Sequence, residues 1–123
     1  MASFLGIPYA EPPIGKLRFQ PPRESRPWSP ALLDATNFKA DCMQSKLVAS
    51  DGHTEDEDCL FLNIWTPAVR GKAAVMIFFH GGGWQLGGAN RPEYYGDEFA
   101  RRGIVVLSFN YRLGALGFLV SLR

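Results

Sequence analysis

Residues 80–84, His-Gly-Gly-Gly-Trp, are the part of this 123-residue chain whose residue types and order could do chemistry. They follow the apolar run "AVMIFF" at 74–79, so three residues without side chains stand at the mouth of what reads as a buried strand. Glycine reaches positive φ and lets backbone N–H groups approach a ligand closely. Such amides suit two tasks: cradling a phosphate, or holding the oxyanion of an acyl-transfer intermediate. For phosphate, "GGGWQLGG" lacks the Lys-Ser/Thr ending of a P-loop, and the position three beyond Gly83 is Leu86, not glycine. The oxyanion task fits better. A strand running into His-Gly-Gly-Gly is the oxyanion loop pattern of esterases and lipases on α/β-hydrolase scaffolds. Amides about 3 Å from a developing O⁻ lower the barrier because the charge appears only in the transition state.

Few other residues compete for a chemical role. Cys42 and Cys59 allow one pairing, closing a loop of about 16 residues worth roughly 3 kcal/mol on the chain-entropy model. Spacing alone leaves open whether they pair or stay as free thiols. Two sulfurs with only His53 nearby do not make a zinc site. None of the serines, at 3, 25, 29, 45, 50, 108 and 121, has glycines two before and two after, so no G-x-S-x-G nucleophile elbow is present.

The elements that must position the glycine loop lie in the second half. "LFLNIW" (60–65), "AVMIFF" (74–79) and "IVVLSFN" (104–110) read as buried strands, the last two covered on both faces. Between them "GDEFARRG" predicts a short helix capped by Asp97, with Arg101 and Arg102 at its negative end and Gly103 as its stop. Strand, helix and strand in succession argue for parallel pairing in an α/β sheet. Residues 1–35 hold seven prolines and read as extended, turning chain that packs its apolar residues onto something else. Residues 36–58 read as a loop with one short helical turn.

Composition narrows the class. A chain 46% hydrophobic and 20% charged is globular, and a net charge of +1 gives no electrostatic case for nucleic acid. No apolar run reaches the roughly 18 to 20 residues of a membrane span, and the start shows no signal-peptide pattern.

Four segments in order, "FLGIPYAEPPIGKLRF" (4–19), "EDCLFLNIW" (57–65), "HGGGW" (80–84) and "NYRLGALGF" (110–118), resemble the type-B carboxylesterase and cholinesterase family. The resemblance covers most of the chain. It implies an α/β-hydrolase fold, of which residues 1–123 would be the N-terminal portion with an incomplete, mostly parallel sheet. It implies a Ser-His-Glu or Ser-His-Asp triad acting on small-molecule carboxylic esters, with no metal or organic cofactor. Gly82 and Gly83 would be oxyanion donors, with His80, Gly81 and Trp84 supporting the loop. By the same resemblance Cys42 pairs with Cys59 in an oxidising compartment, and Arg18 and Glu57 form a buried structural ion pair. The family's triad histidine lies far downstream, so His80 is a loop residue and not the base. Asn110 to Arg112 are expected to pack and hydrogen-bond at a strand end.

The pattern also breaks. The family's nucleophile, acid and histidine all follow the last matching segment, and a first pair of strands normally precedes "FLGIPYA". The closing "VSLR" is where the reading leaves the family pattern. The chain is expected to be an N-terminal fragment, marginally stable and inactive alone. The alternative is a non-catalytic relative that uses the fold for adhesion or interaction, or a truncated product with a binding role. The intact HGGGW favours the enzyme. Substrate, compartment and oligomeric state are left open.

Overall fold

The computed structural model describes residues 1–45 and 52–120. The part of the 36–58 loop reading that falls on 46–51, and the closing residues 121–123, lie outside them.

Four strands form one mixed sheet in the order β1-β4-β6-β5: β1 (Ala2–Pro8), β4 (Phe61–Thr66), β5 (Val75–Phe79) and β6 (Val105–Phe109). β4 is antiparallel to both β1 and β6, and only β5 and β6 run parallel. The sheet is therefore mixed where a mostly parallel one was expected. The single parallel pair arises because β5 returns to β6 through the crossover helix α1 (Asp97–Arg101), whereas β1 and β4 meet without such a unit. Two further strands of two residues each, β2 (Asp41–Cys42) and β3 (Glu55–Asp56), pair in parallel at the base of the 42–59 loop. They replace the expected helical turn among the described residues. A second short helix, α2 (Gly114–Phe118), follows the last strand.

The proline-rich start is more regular than its composition promised. β1 hydrogen-bonds along β4, with a register shift between Phe4 and Ile7 that accommodates Gly6 at φ +71°. Prolines stay at its end and beyond, where no ladder donor is needed.

Helix α1 starts one residue earlier than the capping pattern implied. Gly96 is its N-cap and Asp97 the first helical residue, with no side-chain cap hydrogen bond. Space decides this: a Cβ on Gly96 would lie 2.6 Å from the Val106 side chain. Asp97 and Glu98 still face the positive end of the helix, and Gly103 ends it at φ +86°.

Two small cores hold the sheet. Trp65, Ala100 and Val106 pack with Leu5, Phe38 and Ile104, while Ala10, Leu60 and Leu113 surround the Cys42–Cys59 bond. Between them runs a buried polar network. Asn63 Oδ1 accepts the Gly6 amide at 2.9 Å, and Asn63 Nδ2 donates to Asn90 Oδ1 and Ser108 Oγ, both at 3.3 Å. Asn90 Nδ2 donates in turn to the Lys39 carbonyl and the Asp41 carboxylate, both at 2.7 Å.

β5 departs from its expected burial. Val75, Ile77 and Phe79 are 62%, 55% and 67% exposed. β5 is an edge strand, and its other face is partly covered by Tyr94, whose ring lies 4.6 Å from that of Phe78 between centroids.

Candidate active site

The loop after β5 is built from the strand end outward. His80 is buried, its ring stacked on Tyr111 with centroids 4.3 Å apart and planes 11° from parallel. The Tyr111 hydroxyl donates to the His80 carbonyl at 2.6 Å. His80 is thus gripped twice by the segment just after β6, the strand-end role expected of 110–112. Asn110 adds a second tie, accepting the Ala89 amide at 2.8 Å and donating to the Ala40 carbonyl at 3.1 Å.

The His80 ring turns back on its own loop, with Nδ1 2.9 Å from the Gly81 carbonyl oxygen. A proton on Nδ1 makes this a hydrogen bond and leaves Nε2 bare, and Nε2 has no partner among the described residues. Burial pushes the His80 pKa below its usual value; the Gly81 carbonyl opposes that shift and the Arg91 charge adds to it. The ring therefore stays neutral near pH 7.

The three glycines are not equivalent. Gly82 sits at φ +124°, and a Cβ there would fall 1.8 Å from the Leu86 carbonyl oxygen. Its carbonyl closes the turn by accepting the amides of Gln85 and Leu86 at 3.1 and 3.2 Å. Gly83 and Trp84 follow at φ +61° and +60°, two successive left-handed residues. A Cβ on Gly81 would meet nothing within 4 Å, and one on Gly83 would be opposed only by its φ. The Trp84 carbonyl accepts the Gly114 amide at 2.7 Å, which ties the loop to the start of α2. The amides of Gly82 and Gly83 donate to no acceptor among the described residues.

Gly83 and Trp84 border an open groove of about 700 Å³, walled on its other sides by Met43, Leu113 and Phe118. The Trp84 and Phe118 rings meet at 6.0 Å between centroids. Free amide donors beside an apolar groove can hold a developing negative charge next to a hydrophobic group.

Other sequence-derived residues lie away from this groove. Cys42 and Cys59 are bonded and buried. Arg18 Nε donates to Glu57 Oε2 at 2.7 Å, and Nη2 pairs with Oε1. That pair is not buried as the resemblance implied, because the Arg18 and Glu57 side chains are 46% and 25% exposed. Ser108 is buried within β6 and donates to the Ala89 carbonyl at 3.3 Å.

Sequence reasoning missed Gln44, whose carboxamide reaches the far end of the glycine loop. It also missed Tyr111 as the clamp on His80. The asparagines had a readable signal, since polar residues inside or ending apolar strands must find partners once buried.

No helix among the described residues is long and apolar enough to cross a membrane. The Carboxylesterase family model matches residues 1–122. Fumonisin B1 esterase of Sphingopyxis macrogoltabida is 44% identical over 121 residues, 95% of this chain and 22% of that protein. Cholinesterase of Mus musculus is 42% identical over 131 aligned residues, 97% of this chain and 22% of that protein. The chain thus spans 22% of the length of each of these curated relatives. With the match running through the proline-rich start, the disulfide and the glycine loop alike, this chain belongs to the carboxylesterase family.

Proposed function

We propose that residues 1–123 form the oxyanion-donating part of a serine carboxylic-ester hydrolase. The observation that carries this reading is the pair of unengaged amides at Gly82 and Gly83, held at positive φ where Gly83 and Trp84 border an apolar groove. When a nucleophile adds to an ester carbonyl, its oxygen gains negative charge. Donors already fixed in place stabilise that charge without reorganising. Neutral His80 suits the site, because a buried cation there would add a charge the loop has no group to balance. The groove beside Trp84 would take an apolar portion of the ester.

The serine, its histidine and the carboxylate would come from sequence beyond these residues, because no nucleophile elbow lies within them. The chain alone is therefore inactive: donors without nucleophile or base retain only a small residue of catalysis. Small-molecule carboxylic esters are the substrate class, with no cofactor in the mechanism. An adhesive relative would have no use for unengaged amide donors, which favours the enzyme.

The experiment is a p-nitrophenyl ester assay on the purified chain and on the full-length protein. Turnover is expected only in the longer protein, abolished by a serine-directed organophosphate. Organophosphate-sensitive turnover by residues 1–123 alone would refute the division of labour.

A further inference from the structure

The Gly81 carbonyl and the Gly82 N–H belong to one peptide unit, planar and trans, so fixing the first aims the second. Two groups fix the carbonyl. His80 Nδ1 approaches it at 2.9 Å from one side. On another, Gly87 backs it so closely that a Cβ there would lie 2.5 Å from the Gly81 oxygen and 2.7 Å from His80 Nδ1. Gly87 is itself at φ +109°, a conformation its own sequence does not enforce.

What holds Gly87 is Gln44, 43 residues away in sequence. The Gln44 carboxamide oxygen accepts the Gly87 amide at 2.8 Å, and its nitrogen donates to the Gly87 carbonyl at 3.0 Å. The same nitrogen donates to the Cys42 carbonyl at 3.1 Å, anchoring the clamp beside the Cys42–Cys59 bond. One primary amide thus satisfies both backbone groups of one glycine, and only a side chain that donates and accepts at once can do so.

We propose that Gln44 is a positioning residue for the oxyanion donors: it holds Gly87 against the Gly81–Gly82 peptide and so fixes the direction of the Gly82 amide. This rests on the oxyanion reading above, so the test carries a control for that reading. In the full-length protein, Gln44→Ala lowers kcat by about 10- to 100-fold, the scale of a displaced catalytic group, with KM within about threefold. Amide exchange across 80–88 accelerates in the same variant. Gln44→Glu supplies the discriminating measurement. An ionised carboxylate accepts from Gly87 N–H but opposes two carbonyls, whereas the protonated acid donates as the native amide does. The ratio of its kcat to that of the parent at the same pH therefore rises as pH falls.

A folded Gln44→Ala variant with unchanged kcat overturns the proposal, provided Gly82→Ala is impaired. If Gly82→Ala also keeps its kcat, the oxyanion reading itself fails, and the role of Gln44 with it. Should Gln44→Ala not fold, the Gln44→Glu ratio decides, and a flat ratio across pH overturns the proposal.

Discussion

β5 and the loop it delivers are treated in opposite ways. The strand leaves Val75, Ile77 and Phe79 largely in solvent and has a neighbour on one edge only. The loop immediately after it is tied at His80 by Tyr111, at Trp84 by Gly114 and at Gly87 by Gln44. The geometry of the loop is thus fixed by the described residues, while one face of β5 stays open among them. An exposed apolar edge of this kind invites pairing with another chain. Within the family reading, that cover is the remainder of the hydrolase domain.

The sharpest way to break this contrast is at the glycines. Gly82→Ala should lower kcat of the full-length protein by about 10² to 10³-fold, the scale of losing an oxyanion donor. The cause is direct, since the new methyl group meets the Leu86 carbonyl. Gly81→Ala, whose Cβ has open space, should stay within about threefold of the parent. Steady-state kinetics on both variants checks the pair; equal losses would mean that the loop as a whole, not the Gly82 amide, is at stake.

A smaller effect separates the buried network from the exposed strand. Asn63→Ala removes the acceptor of the Gly6 amide and the donor to Asn90 Oδ1 and Ser108 Oγ, and should cost about 3 kcal/mol in chemical denaturation. Val75→Thr should change the stability of residues 1–123 by less than about 0.5 kcal/mol, as exposed positions do. On the proposed reading the same substitution in the full-length protein should cost more, since the rest of the domain would cover the strand. An equal, small effect in both would argue against that cover.

The smallest effect is a pH dependence. His80 has a lowered pKa in the folded chain, so below the ordinary histidine value of about 6.5 the unfolded state binds a proton that the folded state refuses. Stability is therefore highest above that pH and falls as the pH drops through it. Denaturation midpoints from pH 8 to 5 should show the loss, and His80→Asn should reduce it.

How much of this was legible in the sequence follows from how local each cause is. The three apolar runs became β4, β5 and β6 within a residue at each end, and the Gly-bounded helix became α1, because periodicity and punctuation are local signals. β1 was not legible as a sheet strand, since its pairing depends on residues more than fifty positions away. The exposure of β5 was hidden for the same reason: apolar composition reports a strand's preference for cover, not whether cover is present. In the site, HGGG marked the loop in which the Gly82 and Gly83 amides donate to no acceptor among the described residues. Gln44 and Tyr111 did not stand out, because their hydrogen bonds go to backbone groups, which carry no residue type to read.

The Cys42–Cys59 bond and the β2–β3 pair close the base of the intervening loop from two sides. Gln44 stands two residues inside that base, next to the anchored end. Lengthening the far part of the loop would add only about 0.6 kcal/mol of closure entropy per doubling, and the clamp on Gly87 would not feel it. The segment between Gln44 and Glu55 is therefore a graft point: sequence added there leaves the closed base, and the bonds from Gln44 to Gly87, as they are.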